Sequence, residues 1–216
     1  MKSVLVTGGT VRLGLIIADH LRGCGYKVIT ASSRGGSGAD IVCDFRESMG
    51  AAKCYAAALN LLGGNPPDAI VNNAALFTGS DADIEAVNLT APKKLTMLMA
   101  GREVPGRGCV VNILDATADT PGRNVKYSES KRGLREYTKT AAVMFSETLR
   151  VNSVSPGPIN ELRPVGVHEK AGDCPLGRPK ALDIARAVAF LIENESVTGV
   201  DVPVDGGLSV SVSASA

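Results

Sequence analysis

A tyrosine and a lysine four residues apart, Tyr127 and Lys131, lie in the run Lys126–Tyr127–Ser128–Glu129–Ser130–Lys131, inside a segment with helical apolar spacing. On a helix the two side chains share one face, one turn apart. If that face looks into a cleft, the ammonium lowers the phenol's pKa of about 10 toward neutrality. A phenol tuned in this way is a competent general acid. The same pair on an ordinary helix is only an aromatic core contact beside a solvated lysine. The chemistry therefore depends on what the rest of the chain brings to it.

Near the start, Val4–Thr7 is a short apolar run that ends in glycines, and Leu13 to Leu21 follows with helical apolar spacing. A strand, a Gly-rich turn and a helix in that order open a βαβ nucleotide site. The turn reads T-G-G-T-V-R-L-G, with Gly8, Gly9 and Gly14 around it. Glycines let the backbone approach a pyrophosphate, and the helix N-terminus supplies N–H donors and the positive end of its dipole. The second expected strand, Lys27 to Ala31, ends in Ser32–Ser33–Arg34, where an NAD-preferring fold carries an acid for the ribose 2′-hydroxyl. A cation and hydroxyls there suit a 2′-phosphate, which points to NADPH. A third strand, Ile41–Asp44, leaves Asp44 either to accept from an adenine amine or to cap the following helix.

Further along, a helix is expected from Met49 to Leu62 and a strand over Ala69–Val71, followed by Asn72–Asn73–Ala74–Ala75–Leu76–Phe77. Asp83 to Met99 reads as one long helix with Asn88 inside it, a residue that there faces solvent or has a polar task. Strands over Gly108–Leu114, Arg150–Val154 and Val200–Val204 and a helix over Ala181–Glu193 complete the pattern. The irregular, charged stretch 160–180 is long for a connection and reads as a lid or binding loop.

The chain of 216 residues, 44% hydrophobic and 21% charged, suits one substantial α/β core: a domain over 1–208 with a loose tail over 209–216. The expected fold is a single Rossmann-type, doubly wound parallel sheet of about seven strands flanked by helices. A formal net charge of +1 argues against a nucleic-acid surface, and no apolar run approaches the length of a membrane span. Five scattered cysteines without a C-x-x-C pair fit free thiols in a reducing compartment. Together with a first strand beginning almost at Met1, they lead to an expected cytoplasmic location. No metal site is expected.

With T-G-G-T-V-R-L-G, N-N-A-A, Asn88 and Y-S-E-S-K in that order, the whole chain resembles the short-chain dehydrogenase/reductase family. The resemblance implies that Tyr127 is the acid, that Lys131 binds the nicotinamide ribose and biases the phenol, and that Asn88 holds a water in a proton relay. It also implies cofactor contacts from Thr7, Gly8, Arg12, Leu13, Gly14, Ser33, Arg34, Asp44, Asn73, Ala74, Tyr127, Lys131, Pro156 and Gly157. The family's catalytic serine is missing; Asp115 stands near its place, twelve residues before Tyr127 where the family has thirteen. Arg12 in the first turn, Asp115–Ala116 and Phe77 after N-N-A-A resemble the pteridine reductase branch. That branch implies NADPH-dependent reduction of a C=N bond in a pterin, dihydropterin or dihydrofolate, with Phe77, Arg12, Asp115 and Tyr127 at the substrate. The alternatives are a carbonyl reductase of the same fold, acting on a 3-oxoacyl thioester or small ketone, and an NADPH-binding regulatory protein without turnover. The family resemblance further implies a homotetramer, with Leu89, Leu95, Leu98, Leu134, Ala141 and Met144 either candidate seams or part of the core.

Overall fold

Side chains on successive strand residues point to opposite faces, and both faces of this sheet are apolar, as a parallel sheet covered by helices requires. The computed structural model describes residues 1–34, 38–104, 106–118, 124–159, 162 and 174–213. Its strands are β1 (Ser3–Thr7), β2 (Lys27–Ser32), β3 (Ile41–Val42), β4 (Ala69–Asn72), β5 (Gly108–Ile113), β6 (Leu149–Pro156) and β7 (Asp201–Val204). They form one seven-stranded parallel sheet in the order β3-β2-β1-β4-β5-β6-β7. The Rossmann-type fold read from the sequence is the fold observed. Its order reverses between β1 and β4, and the crevice outside their carboxyl ends is where open α/β sheets bind ligands.

Leu5, Ile70, Val110 and Val151 face one layer, with α2 (Gly50–Leu61), α4 (Ala91–Ala100) and α5 (Val125–Met144). Their neighbours Val4, Val6, Val71, Val111 and Val154 face the other, with α1 (Arg12–Gly23) and α6 (Ala181–Glu193). A last helix, α7 (Leu208–Ser213), stands where the sequence suggested a loose tail from Ser209. Residues 214–216 and most of the 160–180 loop lie outside the described residues.

Two expectations gain detail. The long helix expected over Asp83–Met99 runs unbroken from Asp81 to Ala100, as α3 (Asp81–Glu85), one π-helical segment over Ala86–Thr90, and α4. Asn88, inside the π segment, is 1% exposed. Of the candidate assembly seams, Leu95, Leu134 and Ala141 belong to the core, whereas Leu98 and Met144 are exposed. Among the described residues no helix is long and apolar enough to cross a membrane.

Candidate active site

At the switch point the ends of β1 and β4 are tied together by Thr7. Its hydroxyl accepts from the backbone N–H groups of Asn73 and Ala74, each at 3.0 Å, and reaches the Val71 carbonyl at 3.4 Å. The Asn73 amide returns two bonds, to the carbonyls of Thr7 (3.0 Å) and Gly8 (3.2 Å). These bonds fix the Gly-rich turn before any ligand arrives. Gly8 needs its positive φ of 64°, and a Cβ on Gly14 would land on the Gly8 carbonyl, so only glycine closes this turn against α1. Val11, at the N-cap of α1, has no side-chain cap bond, which leaves first-turn N–H groups for a ligand. The Thr10 hydroxyl in the same turn is buried with no hydrogen-bond partner. Donors aimed at an anion, glycines that admit it and an orphaned hydroxyl fit a dinucleotide pyrophosphate.

Arg12 begins α1 with a φ of 51°, a left-handed conformation that costs a non-glycine residue about 1 kcal/mol or more. Its guanidinium donates to the Leu162 carbonyl at 2.8 Å. Ser33 and Arg34 are exposed beyond the end of β2, where the Arg34 N–H donates to Ser32 Oγ at 3.2 Å. Asp44 lies past β3 in the grip of Arg46, which donates through its Nε at 2.9 Å and through its backbone N–H at 2.9 Å. This arginine holds the Asp44 carboxyl below the usual range. Asp44 does not cap the following helix; the N-cap of α2 is Met49.

Deeper in, the side chain of Asn124 caps α5 by accepting from the Tyr127 N–H at 3.0 Å. Tyr127 and Lys131 follow on one face, 7% and 3% exposed. The Lys131 ammonium donates to the Ile113 carbonyl at the end of β5 (2.8 Å) and lies 5.8 Å from the centre of the Tyr127 ring. Burial lowers its pKa to about 8, against the opposing pull of the Asp115 charge. The Tyr127 hydroxyl donates to Asp115 Oδ2 at 2.8 Å. One residue less in the spacing therefore still leaves the carboxylate on the phenol. The other oxygen, Oδ1, accepts from both the N–H (2.7 Å) and the hydroxyl (2.6 Å) of Thr117.

Phe77, 45% exposed, meets the Tyr127 ring edge to face, with centroids 4.8 Å apart. Asn88 sets that loop: its side chain accepts from the Leu76 N–H (2.7 Å) and donates to the Leu76 carbonyl (2.8 Å) and Ser130 Oγ (3.1 Å). Its carboxamide is thus tied to Leu76 and Ser130. A cleft of about 330 Å³ is lined by Arg12, Leu13, Asn73, Asp115, Thr117, Tyr127, Lys131, Pro156 and Gly157, among others. Gly157 has Asp205 so close that a Cβ would come within 2.6 Å of its Cα. Ser33, Arg34 and Asp44 stand outside that cleft, at the ends of β2 and β3. Sequence reasoning missed Thr117 and Ser130. Thr117 had a readable signal, an Asp-x-Thr turn pattern, whereas Ser130 had none.

A family model described as enoyl-(acyl carrier protein) reductase matches residues 14–209. The 3-oxoacyl-(acyl-carrier-protein) reductase FabG of Haemophilus influenzae is 32% identical over 97% of this chain and 99% of its own. The 2,5-dichloro-2,5-cyclohexadiene-1,4-diol dehydrogenase LinX of Sphingobium indicum is 27% identical over 98% and 97%. Among solved structures, ligand-free aldohexose dehydrogenase of Thermoplasma acidophilum superposes with a TM-score of 0.84 at 27% identity, covering 97% of this chain and 94% of that one. A blue fluorescent protein from a metagenomic library, in complex with NADPH, has the same fold, with a TM-score of 0.86 at 24% identity over 96% and 98%.

Proposed function

This chain belongs to the short-chain dehydrogenase/reductase family of oxidoreductases, and we propose that it is an NADPH-dependent reductase of a C=N bond in a pterin-like heterocycle. The observation that carries the reading is the contact between the Tyr127 hydroxyl and Asp115 Oδ2. A donor hydroxyl and an acceptor carboxylate side by side ask for a ligand that accepts at one atom and donates at its neighbour. An imine nitrogen beside a ring N–H has that pattern. A ketone uses the phenol alone and leaves the carboxylate without a ligand donor, the kind of mismatch that buried polar sites penalise.

The bound cofactor supplies the hydride to the imine carbon. Tyr127 gives its hydroxyl proton to the imine nitrogen, so that C=N becomes CH–NH and one solvent proton later restores the phenol. Lys131 stands beside the ring as the cation that opposes charge build-up on the phenolate. Asp115 orients the ring N–H, and Phe77, packed edge to face on the Tyr127 ring, supplies the aromatic surface for the heterocycle in this reading. Asn88 holds the loop that carries Phe77. Arg34, with Ser33, takes the 2′-phosphate in this reading. Arg34→Asp removes that partner and sets a like charge against a dianion. The expected result is an NADPH KM raised about tenfold or more with NADH use unharmed; an unchanged cofactor preference would reduce Arg34 to a surface residue.

The names of the relatives favour a second reading, reduction of a 3-oxoacyl thioester or other carbonyl. Asp115→Ser separates the two. In a pterin site the variant loses a charge-assisted contact, and kcat/KM with a dihydropterin is expected to fall roughly 10- to 100-fold while a ketone is hardly affected. Equal rates with dihydropterin in variant and wild type, or a gain on both substrates, would favour the carbonyl reading. Assembly as a homotetramer is part of the proposal, supported by apolar Leu98, Val143 and Met144 exposed on α4 and α5.

A further inference from the structure

The carboxylate that distinguishes this site has no orientation of its own. The terminal torsion of an aspartate is broad and two-fold, so the rotamer of Asp115 does not decide which oxygen meets the phenol, or whether either does. The backbone around it is held: the Leu114 N–H bonds the Val154 carbonyl at 2.8 Å, and the Ala116 N–H bonds the Pro156 carbonyl at 2.9 Å. The carboxylate plane is held by Thr117. Its N–H and its hydroxyl converge on the same oxygen, Oδ1, at 2.7 and 2.6 Å, and leave Oδ2 for the Tyr127 hydroxyl. Thr117 is itself 8% exposed and lines the same cleft.

We infer that Thr117 is a positioning residue of this enzyme: its hydroxyl locks the Asp115 carboxylate in the plane that presents Oδ2 to both Tyr127 and the substrate N–H. The inference rests on the reading of Asp115 given above. It adds that a carboxylate can stand in for the usual serine only when a second side chain removes its rotational freedom. A hydroxyl in that place needs no such lock, because it has one oxygen to offer. Asp115 and Thr117 work as a unit, two residues apart on one turn.

The test is a set of variants assayed with a 7,8-dihydropterin and NADPH. Thr117→Val keeps the branched shape and the backbone N–H but removes the hydroxyl; Thr117→Ser keeps the hydroxyl. Thr117→Val is expected to lower kcat roughly tenfold with the KM for NADPH unmoved, and Thr117→Ser to stay within about twofold of wild type. In an Asp115→Ala background, Thr117→Val is expected to have no further effect, because the group it acts through is gone. A purely structural threonine would give an equal loss in both backgrounds, or as large a loss in the serine variant, and either result overturns the inference. So does a Thr117→Val enzyme with the wild-type kcat while Asp115→Ala is impaired, which leaves the reading of Asp115 intact. An Asp115→Ala enzyme as fast as wild type, or a wild type that does not turn over dihydropterin, removes that reading and the inference with it.

Discussion

Replacing Tyr127 by phenylalanine is expected to lower turnover by about 10²- to 10⁴-fold, the range general acid catalysis commonly supplies. The change removes one oxygen and little else. The ring is 7% exposed and keeps its edge-to-face contact with Phe77, so its packing survives. Asp115 loses the phenol at Oδ2 but keeps both Thr117 donors at Oδ1. Lys131 keeps its bond to the Ile113 carbonyl, since that bond does not pass through the phenol. Stability should therefore change by only about 1 kcal/mol, the usual net worth of one hydrogen bond. The nucleotide turn and the Thr7 and Asn73 clamp lie on other elements, so cofactor binding should be nearly unaffected. NADPH oxidation rates and a fluorescence titration with NADPH measure the two quantities separately. A phenylalanine enzyme within tenfold of wild type would show that the proton comes from elsewhere, with the Asp115 carboxyl as the first group to examine.

The parts of this molecule that could be read in its sequence are those governed by local periodicity and steric need. Short apolar runs over Val4–Thr7 and Gly108–Leu114 marked strands, and the glycines before Leu13 marked a turn that side chains would block. Tyr127 and Lys131 could be paired because helical geometry alone sets their relation. What stayed hidden depends on contacts between distant segments. The π segment contains Asn88, whose side chain is bound to Leu76, twelve residues earlier, and no 3.6-residue period records such a bond. Leu95, Leu134 and Ala141 read as well for an assembly face as for a core, since apolar spacing does not say which neighbour covers it. Asp44 looked ready for adenine or for a helix cap. Arg46, two residues on, bonds the carboxylate and Met49 is the N-cap of α2, so the cap reading fails, and that outcome turns on loop geometry rather than on residue type. The short spacing between Asp115 and Tyr127 looked like an obstacle in one dimension and is closed in three.

Lys131 is the residue whose replacement should move activity and stability in opposite directions. Its ammonium is fully enclosed, and burial lowers its pKa from the ordinary 10.5 to about 8. Between those values the unfolded chain binds a proton that the folded chain does not, so stability rises with pH across that window. The penalty is complete below the folded pKa and gone above the unfolded one, and it is on the order of 3 kcal/mol for a shift of this size. Lys131→Met fills the same channel with an uncharged chain and removes the penalty, but it leaves the Ile113 carbonyl without its donor, which costs about 1–2 kcal/mol. The net expectation is a cofactor-free protein about 1–2 kcal/mol more stable near neutral pH, or roughly 2–8 °C in Tm for a chain of this length. The advantage should vanish or reverse by about pH 10, where the wild-type lysine folds already neutral. Turnover should fall about 100-fold or more over the same substitution, because no cation then opposes charge on the Tyr127 oxygen as its proton leaves. Thermal unfolding of both proteins at neutral pH and near pH 10, beside NADPH oxidation rates, gives all three quantities. A methionine variant less stable than wild type at neutral pH, or one whose difference from wild type does not change with pH, would mean that Lys131 stays solvated in the folded protein, with no burial penalty on its charge.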